Sequence, residues 1–313
     1  ESCMHTYIKK TLVWGRGFAV PCLALLIAAQ TTAHAWWPEG HAIVTRAAVR
    51  SLGDDMPEFF RQGEWMISHT VKDPDAIKSR AVPQLSATEG PEHYLDLELL
   101  GEKALEPGYE LPATRGEFVA LCQELEQNPK YVGFLPYAVA EWTQRLAVTF
   151  AEYRKWPENP HIRSKALVYA GILAHYANDA GQPLHLTVEF DGRLGDNGRT
   201  SHNGIHEAVD GLIQVLGFTA DDLIVDAPEG YEDLLAGIME NVHASRAHID
   251  TIYELEAALL SDDKHSEEDA AAIRALTEER GKAVARFTAA VFQTAWDISE
   301  DVSLPSWIDR SEN

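Results

Sequence analysis

Two imidazoles and a carboxylate fall close together in Leu173-Ala174-His175-Tyr176-Ala177-Asn178-Asp179-Ala180-Gly181-Gln182-Pro183-Leu184-His185. On a helix, His175 and Asp179 share one face, a single turn apart. Pro183 ends or kinks that helix, and His185 then swings in from the turn that follows. Nitrogen and oxygen donors converging at a helix end suit zinc. A plainer reading is that each His is a hydrogen-bonded core residue, and this segment alone leaves both readings open.

Three other stretches carry the same donor types. His206 and Asp210, in Asn203-Gly204-Ile205-His206-Glu207-Ala208-Val209-Asp210, are again one turn apart, 21 residues after His185. Taken alone, they read as a surface pair. In Trp36-Trp37-Pro38-Glu39-Gly40-His41, cleavage before Trp36 would free an α-amine with a pKa of about 8. Such an amine and its adjacent carbonyl oxygen can chelate a metal, and His41 lies within reach of the same ion. The plainer reading makes Trp36 and Trp37 apolar anchors. Finally, Asp73-Pro74-Asp75 and Pro91-Glu92-His93-Tyr94-Leu95-Asp96 offer a carboxylate and an imidazole. Most acids in so acidic a chain are merely solvated.

The elements that must position these residues are helical. Apolar spacing of three and four predicts helices over 40–52, 115–127, 136–155, 164–178, 206–216, 231–260 and 267–300, the last broken near Gly281. Strand alternation is scarce, and neither a repeat nor a linker divides the chain. The expectation is an all-α, single-domain, multi-helix protein. Long loops are expected over 71–90 and 187–204, where function often resides.

The 313 residues are 45% apolar with a formal charge of −23, a globular composition. The first 35 form a different object. Lys9, Lys10 and Arg16 precede an apolar stretch over 18–29, and Ala33-His34-Ala35 fits a small-x-small cleavage site. Residues 1–35 therefore read as a signal peptide and 36–313 as the mature domain, secreted or periplasmic. No other stretch reaches transmembrane length, so no integral membrane segment is expected. Cleavage would remove three basic residues and one acidic residue, taking the charge from −23 to −25. That acidity argues against binding duplex nucleic acid or anionic membranes. It leaves a phosphate substrate open, because bound zinc would reverse the local sign. Cys122 would be the one thiol left, which excludes an internal disulfide in the mature chain.

The four stretches, in this order, resemble the zinc-dependent phospholipase C and single-strand-specific nuclease superfamily. Trp36, His41, His93, His175, Asp179, His185, His206 and Asp210 match its ligand pattern. The run Asn178-Asp179-Ala180-Gly181-Gln182-Pro183-Leu184-His185 resembles its central Gly-Asp-x-x-Gln-Pro-Leu/Met-His, with Asn in place of Gly. The resemblance implies the family's all-helical fold, with a trinuclear zinc site, in a monomer. One zinc would take Asp75, His93, His175 and Asp179. A second would take the Trp36 amine and carbonyl oxygen, His41 and the bridging Asp179. The third would take His185, His206 and Asp210. Asp75 is preferred to Asp73 because Lys78 follows it, like the basic residue after the family's Asp. Asp75 and Asp179 are the residues the resemblance assigns to catalysis.

The implied activity is hydrolysis of phosphodiesters by a zinc-bridged hydroxide. The two branches of the family differ in substrate. The tight Trp36-x4-His41 spacing and Asp210 as last ligand favour single-stranded nucleic acid, hence a nuclease. The long gap from His93 to His175 and the lack of disulfides weigh against it, and phospholipase C is the alternative. A non-catalytic zinc-binding exported protein is a second one. Phe134, Tyr137 and Tyr176 are base-stacking candidates by composition alone, and each also reads as core.

Overall fold

Proline at the start and small residues inside shape the helix that carries His41. In the computed structural model, which describes residues 37–195, 198–261 and 266–311, this helix is α1 (Pro38–Arg50). Pro38 sits in its first turn, where a missing N–H costs nothing. Ala42, Ala47 and Ala48 are buried and let neighbouring helices close in. Short helices follow: α2 (Glu58–Arg61), α3 (Glu64–Thr70), α4 (Asp73–Ile77) and α5 (Pro83–Glu89). Then come α6 (Arg115–Glu124), α7 (Pro129–Val132), and two long helices, α8 (Leu135–Lys155) and α9 (Pro160–Asp179). The chain continues through α10 (Ile205–Val215), α11 (Leu234–Arg246), α12 (Ile249–Glu254), α13 (Glu256–Leu259) and α14 (Glu267–Ile298). Among the described residues, strand pairing is limited to an isolated bridge between Leu194 and Thr200. The protein is all-α.

α9 is the axis of the molecule. It packs against α8, α14, α3 and α1, and one apolar core runs from Ala42 to Ala295 around it. Asn159 caps its first turn, accepting from the His161 and Ile162 amides. Gly171 permits the close crossing with α3. A Cβ there would lie 2.6 Å from the Ile67 carbonyl oxygen.

Three expectations change. The 71–90 segment is not a bare loop, because Pro74 and Pro83 open α4 and α5 in the first-turn position. The 231–260 run divides into α11, α12 and α13, which turns Tyr253 toward the 187–204 loop. There its hydroxyl accepts from the Gly192 amide at 3.0 Å. α14 passes through Gly281 unbroken. That glycine makes room for Leu223, whose Cδ2 would lie 2.9 Å from a Cβ.

Cys122 is buried and free. No helix among the described residues is long and apolar enough to cross a membrane. The expected signal segment, with Cys3 and Cys22, and the ligand candidate Trp36 lie outside the described residues.

Candidate metal centre

The last turn of α9 delivers His175, Tyr176 and Asp179, all buried. Gln182 caps the following 3-10 turn, Pro183–Leu186, by accepting from the Leu184 amide, and that turn presents His185. Gln182 also donates from Nε2 to Asp210 Oδ1 at 2.6 Å. The 3-10 turn Gly90–His93 carries His93 to the same place. His185 Nδ1 lies 2.7 Å from the His93 carbonyl, and the Leu95 amide donates to the His185 carbonyl at 2.9 Å. α1 supplies His41, α4 supplies Asp75, and α10 supplies His206 and Asp210.

The eight described candidates meet in three adjoining groups whose donor atoms lie within 4.8 Å of one another. These are His41–Asp75–His175, His93–His175–Asp179 and His185–His206–Asp210. Asp179 faces two ways. Its Oδ2 is 3.0 Å from His93 Nδ1 and 3.4 Å from His175 Nε2. Its Oδ1 is 3.5 Å from His41 Nε2 and 4.0 Å from His185 Nδ1. Asp75 falls with His41 and His175, its Oδ1 3.8 Å from His175 Nε2. Lys78 Nζ holds the same oxygen at 2.6 Å. Asp73 is exposed and belongs to none of the groups.

The donor chemistry fits divalent cations. His175 Nδ1 lies 2.7 Å from the Val71 carbonyl. A ring nitrogen facing a carbonyl must carry the proton, so in both His175 and His185 Nε2 keeps its lone pair. His175 Nε2 then meets His93 Nδ1 at 3.0 Å, and His185 Nε2 meets His206 Nε2 at 3.0 Å. Asp179 Oδ1 and Asp210 Oδ2 are buried and accept no hydrogen bond. Buried carboxylate oxygens in that state call for a cation.

Electrostatics agree. Burial drives His175 down to about 3 and His185 well below its ordinary value, so both rings are neutral. Burial, reinforced by Asp75, pushes the Asp179 carboxyl well up. Burial also raises Asp210, against the pull of His206. A protein-only site would thus hold protons where cations belong.

Several supporting residues carry no signal at a ligand spacing. Asn178 Nδ2 donates to the His41 carbonyl at 3.3 Å and to Thr45 Oγ1 at 3.2 Å, and its Oδ1 accepts from Thr288 at 2.9 Å. It joins α1, α9 and α14 behind the centre. Three side chains hold carbonyls around His185: Asn241 on Ala180, Arg280 on Gly181 and Arg246 on Leu186. Glu89 is a buried acid beside His93, and its spacing of four from that residue is the one hint the sequence offers. Tyr137 and Tyr176 are buried, and Phe134 lies under Arg115, so the three aromatic candidates are packing residues.

No family model and no curated protein matches the chain. Among solved structures it is similar to the alpha-toxin of Clostridium perfringens from avian strain SWCP. That similarity has 12% identity and a TM-score of 0.38, and covers 83% of this chain and 64% of the toxin. It is also similar to the alpha toxin of Clostridium absonum, with 13% identity and a TM-score of 0.41, covering 87% of this chain and 65% of the toxin. The chain spans less than two thirds of either toxin's length.

Proposed function

We propose that this chain is a zinc-dependent phosphodiesterase. One observation carries the reading: of three adjoining His/Asp groups, two share His175, and Asp179 of one lies 3.5 Å from His41 of another and 4.0 Å from His185 of the third. The donors are nitrogen and oxygen only, which suits zinc. In this reading His41, Asp75, His93, His175 and Asp179 would hold two ions, and His185, His206 and Asp210 would hold a third. Trp36 remains a proposed ligand of the pair. Its neighbour Trp37 donates its amide to the Asp210 carbonyl at 3.1 Å. Bound zinc supplies activated water and positive charge for a phosphate. The protein's own part is orientation. The Val71 and His93 carbonyls fix two imidazole tautomers, Lys78 steadies Asp75, and Gln182 steadies Asp210.

For the substrate, we favour a zwitterionic phospholipid, cleaved as by a phospholipase C. Away from the proposed zinc ions, a formal charge of −23 disfavours a long polyanion more than a headgroup without net charge. The segment between Asp75 and His93, two residues of the proposed centre, also exposes Val82 and Leu85, each 43% accessible. Single-stranded nucleic acid is the second reading. It is favoured by the tight spacing of Trp36 and His41, by Asp210, and by Phe190, whose half-buried ring lies 5.8 Å from that of His206. Zinc-loaded protein offered phosphatidylcholine vesicles, single-stranded DNA and RNA side by side tests both. We expect chelator-sensitive release of phosphocholine. Cleavage of nucleic acid alone would reverse the ranking, and no cleavage of any would leave a zinc-binding protein without this activity.

A further inference from the structure

The histidines of the centre do not all face it in the same way. His175 and His185 turn Nε2 inward and hold a backbone carbonyl with Nδ1. His93 is reversed. Its Nδ1 faces the centre, 3.0 Å from both Asp179 Oδ2 and His175 Nε2. Its Nε2 points away, 3.3 Å from Glu89 Oε1. Glu89 and His93 are four residues apart, at the junction of α5 and the 3-10 turn that follows it. The same Glu89 oxygen accepts the Tyr176 hydroxyl at 2.5 Å. The Tyr176 ring packs edge-on against both His93 and His175, with centroids 5.5 and 5.6 Å away. A carboxylate behind a ligating imidazole fixes its tautomer and makes the inward nitrogen a stronger donor than a carbonyl partner would.

We infer that Glu89, held by Tyr176, is the positioning residue of His93 and sets how tightly the group His93–His175–Asp179 holds its ion. This rests on the zinc reading above. A buried acid has a desolvation cost, so a purely structural Glu89 would be a poor choice of core residue. Its position is accounted for by a positive ion on the far side of the ring.

The test is equilibrium zinc titration of the full chain against a competing chromophoric chelator. The absorption spectrum of the cobalt-substituted protein and the melting temperature of the metal-free protein accompany it. Unmodified protein should take three ions. Glu89→Gln keeps the shape and an acceptor for Tyr176, and should weaken one ion of the three by about 10–100-fold. It should alter the cobalt spectrum and leave metal-free melting unchanged or higher. Tyr176→Phe should weaken the same ion by less. Three ions held as tightly in Glu89→Gln as in unmodified protein, with the same cobalt spectrum, would overturn the inference. If Glu89→Gln does not fold, undiminished zinc affinity in Tyr176→Phe overturns it instead. Failure of the unmodified protein to bind zinc would remove the metal reading itself.

Discussion

Asp179 turns its two oxygens toward different histidines, one toward His93 and His175, the other toward His41. Asp210 has one oxygen occupied by Gln182 and the other beside His206 alone. The two acids are therefore unequal. Asp179→Asn should lower zinc content by more than one ion per chain, whereas Asp210→Asn should lower it by at most one. Even outer partners of metal ligands are worth about 10–100-fold, so phosphodiesterase activity of Asp179→Asn should fall at least that far. Equal metal content in the two variants would contradict the shared position. Trp36 has its own test: one extra residue ahead of it should block a chelating amine and lower turnover steeply, and unchanged turnover would remove it from the centre. The eight residues that gather in the three groups were legible because metal-binding side chains at helical offsets stand out in a sequence. The supporting roles of Glu89 and Asn178 were not, because a residue that touches a ligand rather than the ion is not marked by a donor spacing of its own.

Helices position these residues, and the tightest constraint lies where α9 crosses α3. A methyl group on Gly171 would fall 1.9 Å from Thr70 Oγ1 and 2.6 Å from the Ile67 carbonyl oxygen. Backbone cannot move aside as a side-chain tip can. Gly171→Ala should cost about 1–3 kcal/mol in urea unfolding of the metal-free protein. It should also weaken zinc binding, because the Val71 carbonyl that orients His175 follows directly on α3. Unchanged stability would mean that the crossing is looser than described. Amphipathic spacing disclosed the long helices well, α8 and α9 among them. Proline misled over 71–90, since the residue that breaks a helix inside also opens one. The divisions among α11, α12 and α13 follow contacts such as Tyr253 on the 187–204 loop, which local sequence does not encode.

At the scale of the molecule, charge and protons decide how the metal-free chain behaves. His175 and His185 have depressed values when folded, so their contribution to stability is lost as pH falls below about 6.5, the ordinary histidine value. Asp179 and Asp210 have raised values when folded. Their contribution is present at low pH and is lost as pH rises above about 4. Zinc offsets the second loss and competes with protons for the imidazoles. The rise in melting temperature on adding zinc should therefore be larger at about pH 7.5 than at about pH 5. A rise that is equal or reversed would contradict cation binding by these carboxylates. The all-helical architecture was plain from composition and periodicity. The substrate was not, since nothing in a ligand pattern describes the walls around it.

The turn that carries His185 is secured by Asn241, Arg246 and Arg280, all later in the chain than every proposed ligand. During synthesis, His41 through Asp210 would all have emerged while the Ala180, Gly181 and Leu186 carbonyls still lacked their donors. Assembly of the centre is thus tied to arrival of α11 and α14, and a nascent chain stopped before Asn241 would own its proposed ligands without any of the three donors that secure this turn.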